Sequence, residues 1–175
     1  LGEAARNQKQ ADVYYSSYEN AIEEVGKINL IKNTNNGVSI KISALCPSYE
    51  MRKYEDIKYN LVPKLISLTE LGISKNVEIT IDAEEQDRLS ISLEIIKIMA
   101  QSKKIKDWPG FGIELKAYGK RSMDSINLLE ELLRTRSPKH LRLVKGAYWE
   151  YEIKHWQVLG HGDYSVFTRK SITEI

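Results

Sequence analysis

Val38-Ser39-Ile40-Lys41-Ile42-Ser43-Ala44-Leu45 alternates at every step. Val38, Ile40, Ile42 and Ala44 fall on one face, and Ser39, Lys41, Ser43 and Leu45 on the other. That is the period of two that side chains take along a β-strand. A polar loop, Lys32-Asn33-Thr34-Asn35-Asn36-Gly37, leads into it, and Pro47-Ser48 ends it. Tyr54, Ile57, Leu61, Leu65, Leu68 and Leu71 then recur at helical spacing up to Gly72, with Pro63 predicting a kink or a fresh start. The same succession repeats down the chain. Residues 77–82 read as a second strand. Glu84 and Glu85 suit the first turn of the helix that Leu89, Leu93, Ile96 and Met99 continue. After the Trp108-Pro109-Gly110 loop, residues 111–118 read as a third strand. Ser122 is placed to cap a helix through Leu133, with Met123, Ile126, Leu129 and Leu133 on its inner face, and Ser137-Pro138 breaks it. Residues 140–145 make a fourth strand, and a mostly polar helix starts near Trp149. Ahead of the first strand, Asp12 is placed to cap a helix over residues 13–25 that Gly26 closes, with Tyr15, Tyr18, Ile22 and Val25 on one face.

The order is a helix followed by four strand–helix units. Strands alternating with helices imply parallel β-structure and right-handed crossovers. An open doubly wound sheet and a barrel both satisfy this pattern, which does not choose between them. A length of 175 residues predicts one domain, residues 1–175. Hydrophobic residues make up 42%, enough for a core, and charged residues 29%. A net charge of +2 with no basic run lacks the electrostatic footprint of a nucleic-acid binder. Cys46 is alone, so no internal disulfide forms, which fits a reducing compartment. No apolar stretch approaches the roughly 20 residues that span a bilayer, and Leu1-Gly2-Glu3-Ala4-Ala5-Arg6 is not a signal peptide. The missing initiator Met, and an end at Ser171-Ile172-Thr173-Glu174-Ile175 that reads as an opening helix, suggest a fragment.

In either parallel architecture chemistry gathers at the C-terminal ends of the strands. Those ends carry Lys41, then Asp82-Ala83-Glu84-Glu85, then Lys116 through Lys120-Arg121, then Arg142-Leu143-Val144-Lys145-Gly146-Ala147-Tyr148-Trp149. Converging cations with one carboxylate, Asp82, suit an anionic ligand such as a phosphate-bearing cofactor or a carboxylate substrate. Tyr118, Tyr148 and Trp149 offer flat surfaces to a ring system. Taken singly, a lysine or arginine at a strand end is usually a solvated rim residue. Lys41 differs because it lies within the strand pattern, where an inward charge needs a partner; the bland alternative is that it points outward. Asp82, Glu84, Glu85 and Asp87 read better as a cap and a solvated helix start than as a metal site. His140, His155 and His161 have no strong metal spacing. Gly110-Phe111-Gly112 and Gly160-His161-Gly162 open a dinucleotide fingerprint without completing it.

Ser39-Ile40-Lys41-Ile42-Ser43-Ala44-Leu45, Ile81-Asp82-Ala83-Glu84-Glu85-Gln86-Asp87-Arg88-Leu89, Ala117-Tyr118-Gly119-Lys120-Arg121 and the segment from Arg142 to Trp149 together resemble the proline dehydrogenase family. The likeness is to the dehydrogenase domain of the bifunctional bacterial proline-utilisation flavoprotein. Leu1-Gly2-Glu3-Ala4-Ala5 and Tyr164-Ser165-Val166-Phe167-Thr168-Arg169-Lys170 also match, so the resemblance covers essentially the whole chain, in order. It implies part of a (β/α)8 TIM-type barrel, about four β/α units preceded by a helix, with the first strand and the last strands and helices missing. It implies FAD-dependent oxidation of L-proline to Δ1-pyrroline-5-carboxylate, as part of a larger enzyme of proline catabolism.

Residue by residue, the resemblance implies that Lys41 lies near the proline carboxylate, Asp82 steadies the substrate-binding charges, Arg142 approaches the flavin's reactive nitrogen and Tyr148 lines the proline pocket. It places Lys116, Arg142, Lys145, Ala147 and Trp149 at the cofactor. It further implies a quinone electron acceptor, and a cytoplasmic protein at the inner membrane face in the parent. Two positions depart from the family pattern. Lys116 stands where a glutamine usually meets the flavin, keeping a donor and losing an acceptor. Glu114 stands on the same strand face, where an apolar residue is expected; if that face is inward, either Glu114 and Lys116 pair or a buried charge destabilises the strand. The alternative to an enzyme is a catalytically incomplete split or truncated piece with a structural or interaction role, stable through self-association or docking with a missing barrel half.

Overall fold

The computed structural model describes residues 1–134, 140–169 and 171–172. A long helix α1 (Gln8–Lys32) precedes β1 (Gly37–Ile40), a helical turn α2 (Ile42–Leu45) and α3 (Tyr54–Lys75). Then come β2 (Glu78–Ile81), α4 (Leu89–Gln101), β3 (Phe111–Lys116), α5 (Ser122–Leu133), β4 (His140–Val144) and α6 (Trp149–Val158). The four strands form one sheet in the order β1-β2-β3-β4, every pair parallel. Each strand is added beside its predecessor in the same direction. A doubly wound sheet reverses its strand order at a switch point, whereas a barrel wall does not. The order therefore settles the choice that the sequence pattern left open, in favour of a barrel segment. The break predicted at Ser137-Pro138 lies outside the described residues, as do residues 173–175 of the helix predicted to open at Ser171. Among the described residues no helix is long and apolar enough to cross a membrane.

Alternation along the strands divides the sheet into two faces. Val38, Ile40, Ile79, Ile81, Phe111, Ile113 and Leu115 face the helices and are buried in one core with Leu61, Leu65 and Leu68 of α3 and Ile91, Ile95 and Met99 of α4. Fully burying each such side chain stabilises by about 1.5–3 kcal/mol. The other face is polar. Ser39, Thr80, Gly112 and His140 share one register row across all four strands. Gly112 has no side chain there, and a Cβ on it would meet His140 Nε2 at 1.8 Å. His140 thereby reaches over β3 to Thr80, with Nε2 and Oγ1 2.8 Å apart.

Several predicted boundaries are corrected. The first strand stops at Ile40, because Ile42–Leu45 form a helical turn buried on all sides. The apparent polar position Ser43 is satisfied inside the protein: its N–H donates to Glu84 and its carbonyl accepts from Ala5. Helix α1 is capped by Asn7, which accepts from Gln10 N, and by left-handed Asn33, not by Asp12 and Gly26. Gly26 and Gly72 are packing glycines. Cβ atoms there would meet Lys75 Cβ at 2.9 Å and Ile79 Cγ1 at 2.7 Å. α3 runs through Gly72 to Lys75 and carries Pro63 inside a single helix. Glu84 and Glu85 precede a 3₁₀ turn (Gln86–Arg88) and lie outside any α-helical first turn. Ser122 does not cap α5 with its side chain; its hydroxyl donates to Lys116 O at 2.5 Å.

Gly72→Val drives a side chain into Ile79 and into the Val77 carbonyl 2.8 Å away. It is expected to lower unfolding free energy by about 1–3 kcal/mol. Gly162→Ala, with nothing within 4 Å, should leave the urea midpoint where it is.

Candidate functional site

The next register row on the polar face, one step past Ile40, Ile81, Ile113 and Leu141, is Lys41, Asp82, Glu114 and Arg142. Parallel register places them side by side at the C-terminal end of the sheet. Arg142 and Glu114 are direct register partners, and the guanidinium lies 2.5 Å from Glu114 and 2.6 Å from Asp82. Glu114 therefore pairs with Arg142 on the neighbouring strand, and not with Lys116. Burial, with the charge of Glu114, pushes the Asp82 carboxyl above its ordinary value, against the opposing pull of Arg142.

Lys41 does not point away to solvent. Its Nζ donates to Tyr148 Oη at 2.9 Å and lies 2.9 Å from Glu3, and the Tyr148 hydroxyl donates to the same Glu3 carboxylate. Burial alone would lower the Lys41 pKa, but the hydrogen bonds it donates to Tyr148 and Glu3 outweigh it and raise it. Glu3, Tyr18, Ser39, Lys41 and Asp82 line a cavity of about 360 Å³.

Behind Tyr148 lies Lys116, 3% exposed. Its Nζ donates to the Glu84 carbonyl at 2.7 Å and stands 4.2 Å from the Tyr148 ring centroid. Burial lowers its pKa despite Glu152, Glu85, Glu114 and Glu84 nearby. A second cavity, about 450 Å³, opens beside it and is lined by Tyr118 and residues 145–151. Lys145, Ala147 and Trp149 border this cavity; Lys116 lies under the Tyr148 ring and Arg142 belongs to the charged row. Gly146 takes φ +107°, and a Cβ there would lie 2.0 Å from Tyr118 Cε1, so the loop rests directly on the tyrosine ring. The Tyr118 hydroxyl is buried beside the Tyr148 backbone, and burial pushes its pKa up. Trp149 Nε1 donates to Phe167 O at 2.7 Å, which ties this loop to a segment whose Val166 bridges Gly119.

Sequence reasoning did not single out Glu3, Glu84 or Glu152 for this site. Glu84 is not on a solvated helix start: it is 6% exposed and accepts from Ser43 N and Arg88, both at 2.9 Å. Glu152 is buried and accepts from Gln86 N at 2.8 Å, and burial raises its pKa. Glu3 lies 38 positions before Lys41, and no local pattern marks the contact. Among the described residues no group of three or more His, Cys, Asp and Glu side chains is placed to hold a metal ion.

Residues 1–175 match the family described as proline dehydrogenase. The chain is 42% identical over 179 residues to the bifunctional protein PutA of Klebsiella aerogenes and to that of Escherichia coli. These alignments cover 100% of the chain and 14% of each relative. Crystallised proline utilization A from Bradyrhizobium japonicum superposes with a TM-score of 0.91 at 38% identity, over 99% of this chain and 18% of that one.

Arg142→Leu removes the cation shared by Asp82 and Glu114, and the Asp82 carboxyl is already pushed upward by burial and by the charge of Glu114. A carboxyl whose folded pKa is raised opposes folding once ionised, and protonation relieves it. The variant's loss of stability should therefore be largest at neutral pH and shrink toward pH 4, as read by urea unfolding at both values. An equal deficit at both would show that the guanidinium does not balance these charges.

Proposed function

Because the chain belongs to the proline dehydrogenase family, we propose that it is the part of a larger FAD-dependent enzyme that binds and orients L-proline for oxidation to Δ1-pyrroline-5-carboxylate. The observation that carries the reading is the seat of Glu3. A carboxylate of the chain itself is held by the Lys41 ammonium and the Tyr148 hydroxyl. Those two donors are thus already arranged for a carboxylate, and the carboxylate of proline is the substrate group that matches them. Asp82 and Arg142, in the same row, hold the balance of charge beside that seat.

The second cavity suits the cofactor. Its volume falls in the range of small-molecule sites, the aromatic rings of Tyr118, Tyr148 and Trp149 line it, and the glycine at 146 leaves the loop flat against the Tyr118 ring. Lys145, Ala147 and Trp149 would hold the flavin from this side, with Lys116 and Arg142 as nearby cations. When bound, the flavin supplies the two-electron acceptor, and the protein's part is to position and tune it. Lys41 and Tyr148 would fix the substrate's carboxylate end so that its ring faces that acceptor. The quinone that takes the electrons onward enters this reading from the family resemblance.

A second reading is favoured by β4. Leu141 and Leu143 are 40% and 56% exposed, on the face that helices cover in the other strands. An apolar edge of this kind invites pairing. On this reading the segment alone is catalytically incomplete and works only when joined to the rest of a barrel or to a second copy.

The visible absorbance of the purified chain after incubation with FAD, before and after anaerobic L-proline, tests both. A colourless 175-residue chain is expected, with flavin bound and bleached by proline only in the longer protein. There, Lys41→Met should raise KM for proline about tenfold or more, since a hydrogen bond to a charged group contributes about 1.5–3 kcal/mol. Bound flavin bleached by proline in the chain alone would overturn the incomplete-segment reading. A longer protein indifferent to proline would overturn the enzyme reading.

A further inference from the structure

Tyr148 is held at both ends by cations from two different strands. Its hydroxyl accepts from Lys41, which follows β1. Its ring face lies over Lys116, the last residue of β3. Tyr148 itself sits on the loop after β4, two residues beyond a glycine at φ +107°, and the side chain is only partly buried. Its hydroxyl also donates to Glu3.

The Lys116 ammonium carries three donors. One is spent on the Glu84 carbonyl at 2.7 Å. Its Nζ also stands 4.2 Å from the Tyr148 centroid and 5.7 Å from that of Tyr118, with the carboxylates of Glu152, Glu85, Glu114 and Glu84 farther around it. A cation within about 6 Å of a ring centroid attracts the ring, and more strongly when it is desolvated. Glu84 is itself fixed by Ser43 and Arg88, so the cation is anchored to the sheet and the ring is anchored to the cation.

We propose that Lys116 is a positioning residue: its buried ammonium clamps the face of the Tyr148 ring and so sets the direction in which the Tyr148 hydroxyl meets Lys41. What the clamp does for a substrate rests on the reading of Lys41 and Tyr148 as carboxylate donors. The clamp itself rests only on the geometry.

The test uses the 175-residue chain with carbon-13-labelled tyrosine and lysine. The Tyr148 signal is identified by its loss in Tyr148→Phe, and the Lys116 signal by its loss in Lys116→Met. In the native chain the Lys116 ε-methylene protons should be displaced upfield by the ring beneath which they lie, and Tyr148 should show a contact to the Lys41 ε-methylene. Lys116→Met keeps the buried apolar stem and removes the charge. It should move the Tyr148 signal toward that of an exposed tyrosine and weaken the Lys41 contact at least twofold, while the buried Tyr18 and Tyr49 stay in place. Lys116→Arg, which restores a cation, should recover most of the contact. An unchanged Tyr148 signal and Lys41 contact in Lys116→Met would overturn the proposal. So would Tyr18 and Tyr49 moving together with Tyr148, because the lysine would then act on the fold as a whole. L-proline added to the native chain or the longer protein reads the other question separately. A clamp that holds while proline leaves Tyr148 unmoved in both would sink the carboxylate-seat reading alone.

Discussion

Parallel register is the constraint on which the rest of this structure depends. Backbone hydrogen bonds align Ile40, Ile81, Ile113 and Leu141, and the residue after each is then compelled to stand in a single line. Lys41, Asp82, Glu114 and Arg142 are far apart in sequence, yet no side chain has to search for its neighbour. The charges in that line are two positive and two negative, and each carboxylate lies within reach of the same guanidinium. A one-residue slip of any strand would turn its member of the line toward the helices and bring an isoleucine or leucine onto the polar face.

The two faces divide the work. The helix side is built from branched aliphatic residues and holds the sheet in place. That leaves the opposite side to carry ionisable groups that would be untenable in the core unless paired. Pairing there is not left to water. Glu84, Glu152 and Lys116 are buried, and each meets a backbone group: Ser43 N, Gln86 N and Glu84 O. The chemistry-bearing end of the sheet is consequently tied together through its main chain as well as through its ion pairs.

Much of this was legible in the sequence. Period-two and period-3.6 patterns place all four strands and the helices that follow them, and the cations at the strand ends stand out because parallel folds concentrate chemistry there. What was not legible has specific causes. Gly26 and Gly72 look like helix ends, but they exist to let another segment approach, and a local pattern does not separate the two uses. Ile42-Ser43-Ala44-Leu45 continues an alternation by composition while every residue of it is buried. Barrel and open sheet differ only in which strands are neighbours, a long-range fact. Glu3 and Glu114 acquire their roles from partners 38 and 28 positions away, Lys41 and Arg142, and only the fold brings those together.

The empty position at Gly112 has an effect on how the family can vary. Because His140 occupies the space above it and reaches Thr80, strands two places apart in the sheet are joined through a residue that has no side chain. Positions 80, 112 and 140 form a single packing unit. A homologue that acquires a larger residue at 112 must shorten the one at 140, and the hydroxyl at 80 then loses its reason to be kept. Among relatives these three sites should change in concert or stay as they are, although no two of them are close in the chain.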